Sequence, residues 1–343
     1  MKVIINGRFL VHRTTGVERY AREILLELDK MIKPHELQMA VPPETENIPK
    51  YKNIDVIKVG KLHNQLWEHI SFPMYVKKQK GISLNLCNVA PIISPDIVCI
   101  HDMKIKAKPE FFSWKFRLWY SILLKNETKR SKLIITVSEF SKSEIIKYYK
   151  VDSNKIVVVP NAWQHFDRIG YDENTLKKYV FEAGKYYFAM GSMEPNKNFK
   201  WIAENANANQ EKVFAIAGVI NEKVFTNGMG FNCPKNMKLL GYVKDEEAKT
   251  LMRDCEAFLF PSIYEGFGIP PLEAMSAGCK HIIVSDIDVM HEIFNGSVDY
   301  IDGTSKSTEQ REIYGKKVLS NYSWKKSASL ILDMLHNSCL EIR

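Results

Sequence analysis

Short apolar runs recur along the chain, and polar or glycine-containing segments bound each of them. Continuous runs of this kind are typical of strands buried in a parallel sheet. In the N-terminal half they lie at residues 2–6, 38–41, 54–59, 83–87, 98–102, 133–138 and 157–161. In the C-terminal half they lie at residues 186–190, 214–218, 237–241, 257–260 and 281–284. Helical spacing between the runs, and a polar stretch at 162–184 between the two groups, predict two Rossmann-like α/β domains.

The segment after the first run predicts the start of a Rossmann-like unit. Thr15 and Glu18 have the spacing of a capping box, and the apolar residues that follow keep helical periodicity. The G-x-G-x-x-G fingerprint is absent, so a nicotinamide cofactor is not supported. We place the N-terminal domain at 1–163, the second domain at 164–322 and an amphipathic C-terminal helix at 323–343.

Composition narrows the class of protein. The chain has 343 residues, 45% hydrophobic and 26% charged, which is ordinary for a globular protein with two domains. No apolar run approaches the roughly 18 residues that span a bilayer, and the N-terminal run is too short for a signal peptide. The six cysteines form no C-x-x-C pair and several lie in apolar segments, which predicts reduced core residues in a cytosolic protein and no metal site.

Residues 257–278 carry the most specific chemistry. A buried strand at 257–260 leads into a glycine-rich loop and then into a helix with prolines in its first turn, which Gly278 would cap. A helix N-terminus after a glycine loop favours phosphate binding. Glu265 precedes this cradle and Glu273 lies within the predicted first turn of the helix. Because carboxylates repel phosphate, we expect them to bind hydroxyls of a sugar and a ribose, although a solvated loop residue and a balanced helix dipole are the simpler alternatives.

The Glu265-x7-Glu273 arrangement within E-G-F-G-I-P-P-L-E-A-M resembles the donor-site signature of the retaining GT-B glycosyltransferases, most closely family 4. Nearly the whole chain takes part in the resemblance, including the V-S-x-x-S and V-x-P-N landmarks at 137–141 and 158–161. Segments 63–69 and 85–88 are similar to segments of family members that assemble polysaccharides. The resemblance implies a GT-B fold, with two Rossmann-like domains that face an interdomain cleft and a C-terminal helix that crosses back to the first domain.

The resemblance also implies roles for individual residues. His101, in an I-H-D tripeptide, and Glu265 are the catalytic candidates. The donor-binding candidates are Gly16, Ser192, Lys197, Val243, Gly266, Phe267, Gly268, Ile269, Leu272 and Glu273. Among them, Lys197 matches the lysine that binds the diphosphate, whereas Ser192 and Asn196 stand where some members have arginine. No metal is expected, because the only D-x-D match, Asp286 to Asp288, lies outside the matching context.

Basic residues concentrate between positions 101 and 150. This segment has 12 Lys and Arg against 5 Asp and Glu, of a net charge of +8 for the chain, and it is rich in Phe, Trp and Tyr. Nucleic acid, an anionic membrane surface and a solvated helix with a packed inner face each fit this composition. No nucleic-acid motif accompanies the charge, so nucleic acid ranks last.

Together the residues and the resemblance predict a retaining, metal-independent hexosyltransferase of bacterial surface polysaccharide (O-antigen) biosynthesis. Its partners would be a nucleoside-diphosphate sugar, a lipid-linked glycan acceptor and an anionic membrane surface. It would be cytoplasmic and peripheral on the inner face of the plasma membrane, with no cofactor. The alternative is a catalytically silent GT-B protein that binds a nucleotide or a glycan for regulation or assembly.

Overall fold

The computed structural model describes residues 2–218, 233–301 and 308–341. The chain divides into two compact units. The first unit comprises residues 1–161 and 324–343, and the second comprises residues 162–323.

The first unit is built on a parallel sheet of seven strands in the order β3-β2-β1-β4-β5-β6-β7. The strands are β1 (Val3–Asn6), β2 (Leu37–Val41), β3 (Asp55–Lys58), β4 (Ile82–Asn85), β5 (Ile97–Cys99), β6 (Leu133–Thr136) and β7 (Ile156–Val158). The central strands are fully buried apolar runs, as the sequence predicts. Strand β5 ends at Cys99, so the prediction of a strand that continues to His101 and Asp102 is wrong.

Helical segments cover the faces of this sheet. They are α1 (Gly16–Met31), α2 (Asn64–Leu66), a π-helix at Trp67–Ser71, α3 (Phe72–Lys78), α4 (Lys104–Ala107), α5 (Trp114–Arg130) and α6 (Glu139–Tyr149). Short 3₁₀ turns lie at Arg8–Val11, Pro109–Phe111 and Ser153–Lys155. The predicted capping box of α1 is confirmed, because the backbone N–H of Thr15 donates to Glu18 Oε2 over 3.0 Å.

The last helix of the chain belongs to the first unit, and the prediction of a C-terminal helix that crosses back is confirmed. It spans Trp324–Glu341 and is numbered α14, after the helices of the second unit described below. The buried indole of Trp324 packs edge-to-face on Tyr20 of α1, with 6.0 Å between ring centroids. Ser327 Oγ donates to the carbonyl of Pro160 over 2.7 Å.

The second unit is a parallel sheet of six strands in the order β10-β9-β8-β11-β12-β13. Its strands are β8 (Tyr186–Met190), β9 (Val213–Ala217), β10 (Met237–Gly241), β11 (Ala257–Phe260), β12 (Ile282–Val284) and β13 (Asp299–Tyr300). Its helices are α7 (Gln164–Asp167), α8 (Thr175–Tyr179), α9 (Phe199–Ala208), α10 (Asp245–Asp254), α11 (Ile269–Ser276), α12 (Asp288–Phe294) and α13 (Thr308–Asn321), with a 3₁₀ turn at Pro195–Lys197. Buried side chains of β8, β9, β11 and α9 form a core on one face of the sheet.

None of the five cysteines whose side chains are described forms a disulfide. Cys99 and Cys255 are buried, as predicted. Cys233 is exposed, so its assignment to the core is wrong. Its place just ahead of β10 explains the difference, because the apolar run begins only at Met237. The side chain of Cys339 lies outside the described residues.

Candidate active site

The glycine loop of the second unit connects β11 to α11, as the sequence predicts. Gly268 precedes the helix with φ of +105°, and a Cβ there would lie 2.8 Å from Met290 Cε. Glycine suits this position because the backbone is left-handed, whereas the flexible end of Met290 could move away from a Cβ. The helix ends in a Schellman motif, in which Cys279 N–H donates to Ala274 O and Gly278 N–H donates to Met275 O. The loop thus presents the N-terminal N–H groups of α11 beside β11.

Glu273 is the fifth residue of helix α11, just past the first turn to which the sequence analysis assigns it. Helix α11 starts at Ile269 and has no acidic residue in its first turn, so the assignment of Glu273 to that turn is wrong. The prolines at 270 and 271 lie in the first turn of the helix, as predicted, but the helix already begins at Ile269, which leaves Glu273 outside that turn. Glu273 therefore lies too far into the helix to serve only as a partner of the exposed N–H groups at its start. Its side chain is buried.

Glu273 is held by a histidine that the sequence analysis did not single out. His165 Nε2 lies 2.7 Å from Glu273 Oε1, and both side chains are buried. Because the carboxylate can only accept, the ring nitrogen donates. His165 lies on the short helix α7, 108 residues before Glu273. The contact fixes the orientation of the carboxylate, which is the candidate ligand of a ribose.

Lys197 and Glu265 meet beside the loop. Lys197 Nζ lies 2.6 Å from Glu265 Oε1, and both side chains are less than one-fifth exposed, at 18% and 17%. The ammonium also stands 5.0 Å from the ring centroid of Phe260 at the end of β11. Asn196 Nδ2 reaches the same carboxylate oxygen at 3.5 Å. The structure thus joins the residue predicted to bind the diphosphate and the one predicted to meet the sugar.

Two neighbouring polar atoms have no hydrogen-bond partner among the described residues. They are Asn196 Oδ1 and Ser262 Oγ, and both are buried. The backbone ties their segments together, because Ile263 N–H donates to Asn196 O over 2.9 Å. A buried polar atom without a partner indicates space for a ligand or an ordered water.

The other donor-binding candidates of the second unit differ in exposure. Ser192 is exposed after β8, and Val243 is buried ahead of α10. Phe267 packs edge-to-face on Tyr322 at 5.1 Å, and Leu272 is fully buried. Side chains packed in this way cannot reach a ligand, so any contact of Phe267 and Leu272 with a donor must come from the backbone. Gly266 and Ile269 complete the loop, buried and half-buried respectively.

The two candidates of the first unit are His101 and Gly16. His101 is buried two residues beyond β5, and its ring Nε2–H donates to the carbonyl of Leu86 over 3.0 Å. Its backbone N–H donates to Asn88 Oδ1, and its ring lies edge-to-face on Tyr20 at 5.0 Å. Burial lowers the pKa of His101, so the ring is neutral at neutral pH. Gly16 is the exposed first residue of α1.

No group of three or more His, Cys, Asp or Glu side chains in the described ranges is arranged to hold a metal ion. Asp286 of the D-x-D match pairs with His291. In the same ranges, no helix combines the length and apolar character needed to cross a membrane.

Two family models match the chain and together span most of it. Residues 14–163 match "Glycosyltransferase Family 4", and residues 172–335 match "Glycosyl transferases group 1". The chain belongs to the family 4 glycosyltransferases. This confirms the predicted family.

A curated relative and two solved structures extend the comparison. The O-antigen chain mannosyltransferase RfbU of Salmonella typhimurium is 31% identical over 227 residues, which are 65% of this chain and 61% of that protein. Sucrose-phosphate synthase from Thermosynechococcus elongatus has a TM-score of 0.72 at 12% identity, with 100% of both chains covered. Anabaena HepE in complex with UDP and glucose has a TM-score of 0.66 at 14% identity, covering 98% of this chain and 100% of that one. The two solved structures show the fold alone, and the predicted GT-B class is confirmed.

Proposed function

We propose that the chain transfers a hexose from a nucleoside-diphosphate sugar to a glycan acceptor in the biosynthesis of a surface polysaccharide. The observation that carries the proposal is the set of groups around the glycine loop of the second unit. It combines the N-terminus of α11, the Lys197–Glu265 pair and the His165–Glu273 pair. The resemblance to RfbU supports a mannosyl donor as the first to test. The HepE structure, which holds UDP and glucose, supports a nucleoside-diphosphate sugar as the donor class.

Each group has a proposed role in binding the donor. Glu273 accepts hydrogen bonds from the ribose hydroxyls, with His165 holding the carboxylate in place. Glu265 and the backbone of residues 266–268 contact the sugar. The ammonium of Lys197 and the N–H groups at the start of α11 bind the diphosphate. The catalytic role of His101 stays a prediction.

Departure of the nucleoside diphosphate defines the chemistry. The bond between the anomeric carbon and the diphosphate oxygen breaks, and negative charge grows on the leaving group. Preorganised N–H donors and a cation stabilise such a charge without reorganisation. We therefore propose a metal-independent reaction with retention of the anomeric configuration, in which the oxygen of an acceptor hydroxyl bonds to the anomeric carbon and its proton passes to the departing diphosphate.

The acceptor is proposed to be lipid-linked, and the first unit to rest on an anionic membrane surface at the cytoplasmic face. Helix α5 supports this proposal, because Trp114, Leu118 and Ile122 recur every fourth residue and are exposed by 67%, 56% and 51%. Basic residues flank this apolar stripe on the same helix, which favours anionic headgroups. Lys104 and Lys106, which follow His101 closely, lie on the short helix α4.

The test is a turnover assay with GDP-mannose, UDP-hexoses and dTDP-rhamnose, with and without a lipid-linked glycan acceptor and with excess EDTA. We expect release of the nucleoside diphosphate that depends on the acceptor and continues in EDTA. Nucleotide binding without transfer to any acceptor would identify a silent binding protein instead. Loss of turnover in EDTA that Mn²⁺ or Mg²⁺ restores would contradict the metal-independent reaction.

A further inference from the structure

Two cysteine sulfurs are in contact in the second unit. Cys255 Sγ lies 3.6 Å from Cys279 Sγ, although the two positions are 24 apart in the chain. Cys255 directly follows α10, and Cys279 follows the turn that ends α11. Neither side chain belongs to the groups proposed to bind the donor, so their contact needs a separate explanation.

The pairing of two parallel strands brings these cysteines together. Phe258 of β11 is paired with Ile282 of β12, and each cysteine lies three residues before its member of this pair. Neighbouring strands lie about 4.8 Å apart, and the Cα atoms of disulfide-linked cysteines are usually about 4.4 to 6.8 Å apart. Continued by three residues, the register therefore brings Cys255 and Cys279 to a separation that a disulfide can span.

Backbone carbonyls orient both thiols toward each other. Cys255 Sγ lies 3.2 Å from the carbonyl oxygen of Met252, and Cys279 Sγ lies 3.1 Å from that of His281. The His281 carbonyl also accepts from the N–H of Phe258, which belongs to the sheet. A sulfur–sulfur bond is about 2 Å long, so the sulfurs must approach by about 1.6 Å, which rotation of the two side chains can supply.

The two thiols differ in exposure and acidity. Cys279 is half-buried between the exposed residues Gly278 and Lys280, whereas Cys255 is buried. When Cys279 is ionised, the Cys255 thiol donates a hydrogen bond to it, which lowers the pKa of Cys279. Burial raises the pKa of Cys255. Because the thiolate is the nucleophile, an oxidant in solution reaches and reacts with Cys279 first.

We propose that Cys255 and Cys279 are a redox-sensitive pair that hydrogen peroxide closes to a disulfide. First the Cys279 thiolate attacks one peroxide oxygen, the O–O bond breaks, and hydroxide leaves and takes up the proton that Cys279 has released, which gives a sulfenic acid and water. Next the Cys255 sulfur attacks the sulfur of Cys279, the S–O bond breaks, and the hydroxyl group leaves as water with the Cys255 proton. The two sulfurs lose two electrons, and one peroxide is reduced to two molecules of water.

The disulfide closes a ring of chain that contains the glycine loop. Residues 255–279 comprise β11, the loop at 265–268 and α11, with Glu265 and Glu273 among them. A cross-link restricts the unfolded chain, so we expect oxidation to raise the thermal midpoint of unfolding by about 5 °C. The cysteines lie at the amino ends of β11 and β12, whereas the glycine loop follows the carboxyl end of β11. The proposal needs no transferase activity and is therefore tested independently of the proposed function.

The test treats the reduced protein with hydrogen peroxide and compares wild type with Cys255→Ser, Cys279→Ser and Cys233→Ser. Cys233 is the matched control, because it is an exposed thiol of the same unit. Dimedone, added in parallel, labels any sulfenic acid. Thermal unfolding is measured before and after oxidation, and the unfolding of the reduced variants checks that they fold.

A protease that cuts after glutamate separates the two cysteines. It cleaves between them at Glu256, Glu265 and Glu273, so their peptides stay joined only through a disulfide. Mass spectrometry of this digest and of the intact chain therefore identifies the cross-link directly.

We expect wild type and Cys233→Ser to give the joined peptides and to lose the mass of two hydrogen atoms, and dithiothreitol to reverse both changes. In Cys255→Ser, a sulfenic acid at Cys279 has no resolving thiol, so dimedone should label Cys279 about tenfold more than Cys233. Cys279→Ser should give neither joined peptides nor a change in thermal midpoint.

Oxidation of Cys233 without joined peptides in wild type would overturn the proposal. Labelling of Cys255 in Cys279→Ser that equals the labelling of Cys279 in Cys255→Ser would contradict the order of attack. A thermal midpoint that does not rise on closure would contradict the stabilising effect. Where a serine variant fails to fold, the presence or absence of joined peptides in wild type and Cys233→Ser decides.

Discussion

Two carboxylates have side-chain partners beside the glycine loop of the second unit, whereas the polar cavity at the carboxyl ends of β1 and β4 in the first unit combines one ion pair, Arg8–Glu68, with a histidine. Beside the glycine loop, Lys197 meets Glu265 at 2.6 Å and His165 meets Glu273 at 2.7 Å. In the cavity of the first unit, both nitrogens of His69 are buried and have no partner among the described residues. The site of the second unit thus contains two carboxylates held by basic or imidazole partners, and the cavity of the first contains one such carboxylate beside a histidine ring.

We propose that this difference reflects ligands of different chemistry. A diphosphate needs a cation and N–H donors, and a carboxylate can hold that cation in position until the ligand arrives. A sugar ring needs donors and acceptors without net charge, which a neutral histidine and a guanidinium Nε supply. The comparison therefore predicts that charge changes damage the second unit most, and that changes in neutral hydrogen bonding damage the first.

The largest effect should come from Lys197→Ala. Removing the cation leaves the growing charge of the leaving diphosphate with N–H donors alone, and we expect kcat to fall by about 10²- to 10³-fold. Lys197→Arg should recover part of the rate, because it restores the charge with a different geometry. Lys200→Ala is the control, since Lys200 is an exposed neighbour paired with Glu204. A change below threefold in Lys197→Ala would remove Lys197 from the donor site.

Reversing the charge of Lys104, Lys106 and Lys108 to Glu should weaken binding to anionic vesicles. Each basic residue near a surface contributes up to about 1 kcal/mol, so the three together contribute up to about 3 kcal/mol, and more salt should reduce the difference. The same unit carries the exposed large apolar side chains of α5, and we propose that it faces the membrane. Flotation of wild type and variant with vesicles at low and high salt measures the effect.

A charge-matched control lies in the second unit, where Lys200, Lys235 and Lys280 are exposed. Their joint replacement by Glu should leave flotation nearly unchanged. Equal loss in both triple variants would show attraction by net charge alone, and no loss in either would leave the basic segment an ordinary solvated surface. Nucleotide affinity should not change in the first variant, because the donor groups belong to the other unit.

Glu273→Ala should reduce affinity for the free nucleoside diphosphate by about 2 kcal/mol or more, because the ribose hydroxyls lose a charged acceptor. His165→Phe should cost less, since the carboxylate remains but loses the donor that orients it. Glu273→Gln, which keeps the shape, should lie between them. Calorimetry with UDP and GDP measures the affinity, and thermal unfolding checks that the fold persists. Unchanged affinity in Glu273→Ala would leave the carboxylate a structural partner of His165.

The sequence predicted the features that depend on local patterns. Buried strands such as β1 and β11 are continuous apolar runs, and the glycine loop at 265–268 has the residue types that its backbone requires. The short strand β13 at Asp299–Tyr300 was missed, because two half-buried residues carry no apolar run.

The contacts that complete the sites depend on distant parts of the chain. His165 reaches Glu273 across 108 residues, and Asn6 reaches Glu68 across 62. Segment 63–69 enters the sequence analysis only through the family resemblance, and its residue pattern does not predict a π-helix. Such features arise from packing, which neither periodicity nor motif spacing records.

The last prediction concerns stability and a buried carboxylate of the first unit. Glu273 is held by His165, whereas Glu127 of α5 is fully buried and accepts only the Ala90 N–H over 2.9 Å. Its other oxygen has no partner among the described residues. Burial raises the pKa of Glu127 to about 8, so the folded protein holds this proton where the unfolded chain has released it. The stabilising effect is complete below the ordinary pKa of 4.5, decreases as pH rises toward 8, and is lost above it.

Glu127→Gln should remove this dependence, because an amide stays neutral at every pH. In wild type the free energy of unfolding should fall by about 1.4 kcal/mol per pH unit between these limits from this group alone. The variant should therefore unfold at a temperature close to that of wild type at pH 5 and at a higher one at pH 8. Calorimetric scans at both pH values measure the difference, with the exposed Glu110→Gln as control. A variant whose advantage is equal at both pH values would show that the wild-type Glu127 carboxyl ionises as readily in the fold as outside it.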